Sequence, residues 1–388
     1  MSDFGIVCEF NPFHNGHKYL LEKAREMGAD RIVCIMSGNA VQRGELAVAD
    51  KYERAEMAVR CGADLVIELP YPWCAASAEY FGRASIYGLS SLCGDIVFGS
   101  EVGDVSVLES AARTCEGKEF KEKYLSRLEK GEGAAAAYIS LLEENGFSGM
   151  SSNDLLGISY IRAVIASGAS MRCHTVKRVG ATINEKEIIG GELQSATAIR
   201  RCIAEGDCNE LNKYIPEFVF GKIGELRERG SLTDMSFVDR AVIAHLRQMS
   251  ANELSEIYEC GGGVGNRIRS VANESTTYSE LIEKLKTSRY TDAKLRRAVL
   301  FAITGVKEED VRSDPEYFLL LGASEKGRAL LSEKRRSGEA NIITKPADAP
   351  KPSRQYAVDR ALESWFTLAR ERAEITDAGL RRGAYIEK

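Results

Sequence analysis

The stretch FGIVCEFNPFHNGHKYLLEKA, Phe4–Ala24, decides how this chain folds. FGIVCEF, Phe4–Phe10, is a nearly unbroken apolar run and predicts a strand buried on both faces. From His17 to about Met27 the residues predict a helix. Between them lies a short loop with Pro12, Gly16 and two of the chain's four histidines, His14 and His17.

The same alternation continues outward. RIVCIM (Arg31–Met36), ADLVIEL (Ala63–Leu69), DIVFGSE (Asp95–Glu101) and RCHTVKR (Arg172–Arg178) predict four more strands. Asp50 and Glu53 have the spacing of a capping box and open a helix through about Arg60. Further helices are predicted at Ser77–Leu89, through Asp104–Glu144, and after Asn153, read as an N-cap. Ser195 begins another helix, SATAIRRCIAEG. Apolar strands separated by helices predict an α/β fold with a doubly wound, parallel, five-stranded sheet. That domain is expected over residues 1–205. Residues 206–388 have mainly helical periodicity, as in FVDRAVIAHLRQM and DAKLRRAVLFAI, with a small extra strand near Tyr317–Leu321.

The chain has 388 residues, is 44% apolar and 28% charged, and has a formal net charge of −5. A packed core is expected, and any nucleic-acid surface must be local. Ten cysteines include no CxxC pair and predict reduced, largely buried thiols. No signal peptide and no apolar run of membrane-spanning length is evident, so a cytoplasmic protein without a membrane span is expected.

A helix N-terminus at the carboxyl end of a parallel strand offers free N–H groups and a positive dipole end to a phosphate. His14 and His17 can each add a ring N–H, and Gly16 allows close approach. Such a site can stabilise charge on phosphates as pyrophosphate leaves. A surface turn whose histidines only cap the helix is the alternative. Zinc has no evident third ligand nearby. In the second half, KLKTSRYTDAKLRR holds Lys284, Lys286, Arg289, Lys294, Arg296 and Arg297 around Tyr290. This mixture suits phosphates and an unpaired base, or is a solvated helical face. A second basic group, Lys326, Arg328, Lys334, Arg335 and Arg336, extends the expected footprint.

NPFHNGH after a strand resembles the HxGH signature of the nucleotidyltransferase superfamily (HUP, Rossmann-like) that includes class I aminoacyl-tRNA synthetases. LQSATAIRR, Leu193–Arg201, is similar to its second signature, with Ser195, Thr197 and Arg200 matching and Gln194 and Ala196 departing. With SGNAVQRGELAVADKYERAEMA, GADLVIELP, FGSEVGD, SSNDLLGISY and KTSRYTDAKLRR, the chain resembles the bacterial tRNA(Met) cytidine acetate ligases. Ser288 stands where that pattern has a basic residue.

The resemblance implies an ATP-dependent ligase. It would activate acetate as acetyl-adenylate and acetylate the exocyclic amine of the wobble cytidine in elongator tRNA(Met), with Mg2+ accompanying ATP. It implies ATP contacts at Val7, Cys8, Glu9, Phe10, Asn11, Pro12, Phe13, His14, Asn15, Gly16, His17, Lys18, Tyr19 and Leu20. Further ATP contacts are implied at Gly99, Asn153, Arg178, Ser195 and Thr197. His14 and His17 would be catalytic. Gln42, Arg43 and Lys51 would line the acetate or phosphate pocket, Arg43 and Lys51 as catalytic groups, and the first basic cluster would hold tRNA. An adenylyltransferase for a phosphorylated metabolite, or a non-catalytic RNA-binding protein with a nucleotide pocket, are the alternatives.

Overall fold

A computed structural model describes residues 1–178, 196–206, 211–287, 289–337 and 341–388. The expected strands form where the apolar runs lie. They are β1 (Asp3–Cys8), β2 (Arg31–Ser37), β5 (Leu65–Leu69), β6 (Asp95–Ser100) and β7 (Arg172–Lys177), and the loop expected after β2 carries two unforeseen two-residue strands, β3 (Ala40–Val41) and β4 (Glu45–Leu46). Three more follow, β8 (Phe318–Ala323), β9 (Ile342–Ile343) and β10 (Tyr385–Ile386). The main sheet runs β10-β8-β5-β2-β1-β6-β7, with β9 beside β8, and β3–β4 is a separate hairpin.

The five expected strands are all parallel, with β1 paired to β2 on one side and β6 on the other. The chain winds outward through β2 and β5, then returns to β6 and β7. The order therefore reverses beside β1, and a crevice opens at the carboxyl ends of β1 and β6, where ligands bind in such sheets.

The sheet has eight strands where five are expected. β8 lies antiparallel on β5, with Leu65 opposite Ala323. Residues from the expected helical half thus complete the sheet. The expected strand near Tyr317–Leu321 is real, but it belongs to this sheet. All six of its residues are buried, which its apolar sequence FLLLGA permits.

Helices α1 (Asn15–Glu26) and α2 (Lys51–Arg60) share one core with β1 and β2. The second core gathers α3 (Ala78–Ser90), α4 (Val105–Glu116), α5 (Lys118–Glu129), α6 (Ala134–Glu144) and α7 (Ser152–Ser167). Next come α8 (Ala196–Glu205), α9 (Glu217–Glu228), α10 (Asp239–Gln248), α11 (Ala251–Ser255), α12 (Val264–Asn273), α13 (Tyr278–Leu285), α14 (Asp292–Thr304) and α15 (Glu308–Arg312). α8 and α9 join the first core and α10–α14 the second. α16 (Glu325–Ser337) and α17 (Arg354–Leu368) are the last long helices.

Two predicted caps change. Asp50 caps α2 by accepting from the Tyr52 N–H, but Glu53 pairs with Lys222 rather than closing a box. Ser151, not Asn153, is the N-cap of α7. Its hydroxyl accepts from the Asp154 N–H, and Asp154 reciprocates to the Ser151 N–H at 2.9 Å. Asn153 is left in the first turn with its amide free for other work.

Candidate functional site

α1 begins one residue after His14, earlier than expected, so both histidines belong to its first turn. The His14 N–H donates to Nδ1 of His17 at 3.2 Å. An accepting Nδ1 leaves the proton of neutral His17 on Nε2, directed away from the backbone. The two rings stack with centroids 3.6 Å apart. A Cβ on Gly16 would stand 2.9 Å from Cε1 of His14, so the glycine makes room for this imidazole. Phe10 and Phe13 are buried and pack edge-on or tilted against His17. They form the wall behind the pair.

Burial, followed by the charges of Arg178 and Arg200, lowers His14 to about 3. Burial, His14 and Arg178 also push His17 well below its ordinary value. Both imidazoles are therefore neutral near pH 7, each with one N–H to donate. Two N–H donors beside two guanidinium groups, which themselves lie 3.2 Å from Glu101 and 3.7 Å from Glu45, make a surface that suits an anion.

Two arginines converge on this turn. Arg200, on α8, donates through Nη1 to the Asn11 carbonyl at 3.0 Å and through Nη2 to Thr197 Oγ1 at 3.4 Å. Buried Ala198, Ile199 and Ile203 seat the opposite face of α8 in the core. Arg178 follows β7, and its Nε lies 3.2 Å from Oε1 of Glu101. Glu101 also accepts from Asn153 Nδ2 at 2.7 Å and from the Ser151 hydroxyl. Gly99 lies beneath Arg178, where a Cβ would come 3.3 Å from the arginine's Cγ. Of the three ATP contacts that the resemblance implies here, Asn153 and Arg178 are linked through Glu101, and Gly99 lies against Arg178. Ser195 and Ser288 lie outside the described residues.

The rest of the expected ATP cradle divides by burial. Asn11 is buried and accepts from the Val48 N–H at 2.8 Å, while Pro12 is buried beside it. Cys8 is buried with its thiol toward the Ile35 carbonyl. Val7 is partly buried against the second core. Asn15 ties the turn to the Tyr214 and Lys213 carbonyls. Lys18 is exposed beside Glu22 at 3.9 Å, and Tyr19 and Leu20 are half-buried on the next turn.

The hairpin β3–β4 overhangs the same rim. The Gln42 N–H donates to Glu9 Oε1 at 2.8 Å, and Arg43 is half-buried close enough to act on the Glu9 charge. Lys51 departs from expectation. Its ammonium is buried, bonded to both oxygens of Glu68 at 2.8 Å and 3.8 Å from Asp359. Burial opposes its charge, but Asp359 and Glu68 outweigh it and raise its pKa. Lys51 thus ties the start of α2 to Glu68 of β5, beside Asp359 of α17.

Sequence reasoning also missed Arg54. It is fully buried and donates to the carbonyls of Ala49, Glu9, Ser37 and Gly38, bracing the loops after β1 and β2. Its only sequence signal is a charge on a helix face otherwise apolar.

The basic cluster is not one surface. Lys284 and Lys286 are exposed but paired with Glu280 and Glu283. Arg289 and Lys294 flank the half-buried Tyr290 ring at 5.3 and 4.9 Å. Arg296 lies 3.6 Å from Glu45 of the hairpin. Arg297 is only 8% exposed and binds Glu259 through Nε and Nη2, at 2.8–3.1 Å. It is a structural residue, because its face of α14 packs on the hairpin. α16 begins at the opposite rim, where Lys326 reaches the Asp30 carbonyl at 3.4 Å. The second basic group therefore does not extend the first.

Among the described residues no cluster of three His, Cys, Asp or Glu could hold a metal ion, and no helix is long and apolar enough to cross a membrane.

A family model described as HIGH Nucleotidyl Transferase matches residues 1–378. A tRNA(Met) cytidine acetate ligase from Caldanaerobacter subterraneus is 34% identical over 387 residues, covering 95% of this chain and 96% of the relative. One from Bacillus subtilis is 33% identical over 371 residues, covering 91% and 89%. Thermotoga maritima TmcAL, crystallised without ligand, superposes with a TM-score of 0.91 at 29% identity, covering 100% of this chain and 99% of that one. The same protein bound with alpha-thio ATP gives a TM-score of 0.89 at the same identity and coverage.

Proposed function

This chain belongs to the HIGH nucleotidyl transferases and, among them, to the tRNA(Met) cytidine acetate ligases, and from that premise we propose how its crevice works. ATP lies across the carboxyl ends of β1 and β6. The N–H groups of the first turn of α1, the Nε2–H of His17 and the ring of His14 meet its phosphates. Arg178 and Arg200 supply the positive charge that burial denies to the imidazoles. Acetate attacks the α-phosphorus, the bond to the β,γ-diphosphate breaks, and pyrophosphate leaves with its charge held by these donors. The acetyl-adenylate then gives its acetyl group to the wobble cytidine amine of elongator tRNA(Met).

Gly99 leaves space near the nucleotide, while Glu101 orients Asn153 and Arg178 toward it. Thr197, in the first turn of α8, serves the phosphates, and Arg43 faces the acetate side. Mg2+ enters with ATP, since the described residues offer it no cage of their own. Arg289, Tyr290 and Lys294 form the tRNA-facing patch, with Lys284, Lys286 and Arg296 at its margin. The protein works where tRNA is, in the cytoplasm.

The observation that carries this reading is the stacked histidine pair in the first turn of α1 at the strand-order reversal, with Arg178 and Arg200 close enough to lower it. Incubation with ATP, labelled acetate and unmodified elongator tRNA(Met), followed by mass analysis of the nucleosides, tests it. Acetylcytidine at the wobble position, dependent on both ATP and acetate, is expected. ATP turnover indifferent to acetate, with no modified cytidine, would refute it.

A further inference from the structure

Glu9 is the one carboxylate that follows β1 directly into the crevice, and an anion is out of place there. Both small-molecule substrates are anions, so Glu9 would repel them if binding were its only task. Yet its position is closely fixed. Its carbonyl accepts from Arg54 Nη1 at 2.5 Å, and Oε1 accepts from the Gln42 N–H at 2.8 Å. Oε2 has no hydrogen-bond partner among the described residues. A half-buried carboxylate with one oxygen tethered and the other free is placed to accept a proton.

The reaction proposed above needs such a group. A cytidine amine is a poor nucleophile because its lone pair is shared with the ring, and it must lose a proton as the new bond forms. Neither histidine suits, since both are aimed at phosphates and held well below their ordinary values. Lys51 is occupied by Glu68.

Resting on that reading, we propose that Glu9 is the catalytic base of the acyl transfer. The amine nitrogen attacks the acetyl carbon, and a C–N bond forms. The bond from that carbon to the adenylate oxygen breaks, AMP leaves with the electron pair, and the amine proton passes to Oε2 of Glu9 and on to water. The groups facing Glu9 are Arg200 on α8, Arg43 on the hairpin, Arg54 on α2, Tyr160 on α7, and Cys8 and Cys74. Burial raises the Glu9 carboxyl above its ordinary value, against the Gln42 N–H and the three arginines. That direction makes it a better base near neutrality.

Glu9→Gln keeps the shape and an acceptor for the Gln42 N–H. The full chain and this variant should be compared in two assays, acetate-dependent ATP–pyrophosphate exchange and single-turnover transfer to tRNA. Transfer is expected to fall about 10²- to 10⁴-fold more than exchange. Glu9→Asp, which keeps the carboxylate, should recover part of it. Wild-type transfer should slow on acidification as this raised carboxyl takes up its proton, and Glu9→Gln should lose that dependence. Parallel losses in both assays would mean that Glu9 serves the nucleotide and would overturn the proposal, as would transfer unaffected by Glu9→Gln. Absence of acetate-dependent exchange in the wild type would instead defeat the reading on which it rests.

Discussion

His14 and His17 were legible in the sequence because a helix N-terminus after a buried strand needs few residues to declare itself. Their electrostatic state was not, because it depends on burial and on Arg178 and Arg200, more than 160 residues away. A histidine lowered to about 3 has a definite consequence for stability. Below pH 6.5 the unfolded chain binds the proton that the native chain refuses, so stability declines as pH falls toward the native value. Each pH unit in that window costs about 1.4 kcal/mol for one such imidazole. His14→Gln should therefore lose about 2 kcal/mol less stability than the wild type between pH 7.5 and 5, by denaturant melts of the unliganded proteins. Equal losses would show that His14 is not held neutral. Glu101 escaped notice for a related reason. A lone acidic residue after a strand is unremarkable until Asn153 and Arg178 are found bonded to it.

The hairpin β3–β4 and helix α14 meet where the sequence suggested two unrelated features, a pocket loop and an RNA-binding surface. Gly44, at φ +76°, turns the hairpin, and a Cβ there would stand 2.3 Å from the Arg297 nitrogen. Arg296 and Arg297 are neighbours in sequence yet about 100° apart around the helix, so a charge count cannot tell which faces water. Only packing decides, and it buries Arg297 on Glu259. Arg297→Ala should cost about 3–5 kcal/mol in stability, because it strands a buried carboxylate. Tyr290→Ala should weaken tRNA binding by about 1–3 kcal/mol through lost stacking. Urea melts and filter binding on both variants separate the two roles. A full-stability Arg297→Ala that fails only in tRNA binding would return Arg297 to the RNA surface.

Across the whole molecule, the five parallel strands were readable from their continuous apolar runs. The sixth neighbour was not, because antiparallel pairing between residues far apart leaves no periodicity in either segment. The two halves are also joined by buried polar contacts. Tyr71 meets the Thr304 hydroxyl at 2.5 Å, Trp73 Nε1 donates to the Val311 and Ser313 carbonyls, and Asn39 donates to Glu363 at 2.8 Å. A fragment of residues 1–205 would keep these groups but lose their partners, and would bare the outer edge of β5. It should lack a cooperative urea transition and show weak amide protection throughout β5. A sharp transition matching that of the full chain would establish residues 1–205 as self-sufficient.

The pairing of Leu65 with Ala323 also sets a clock. Translation at roughly 5–20 residues per second separates the emergence of these two residues by about 13–50 s. Throughout that interval the outer edge of β5 presents an unshielded ribbon of backbone donors and acceptors to its surroundings. The ribosome's pace between these two residues therefore fixes how long that edge waits for its partner.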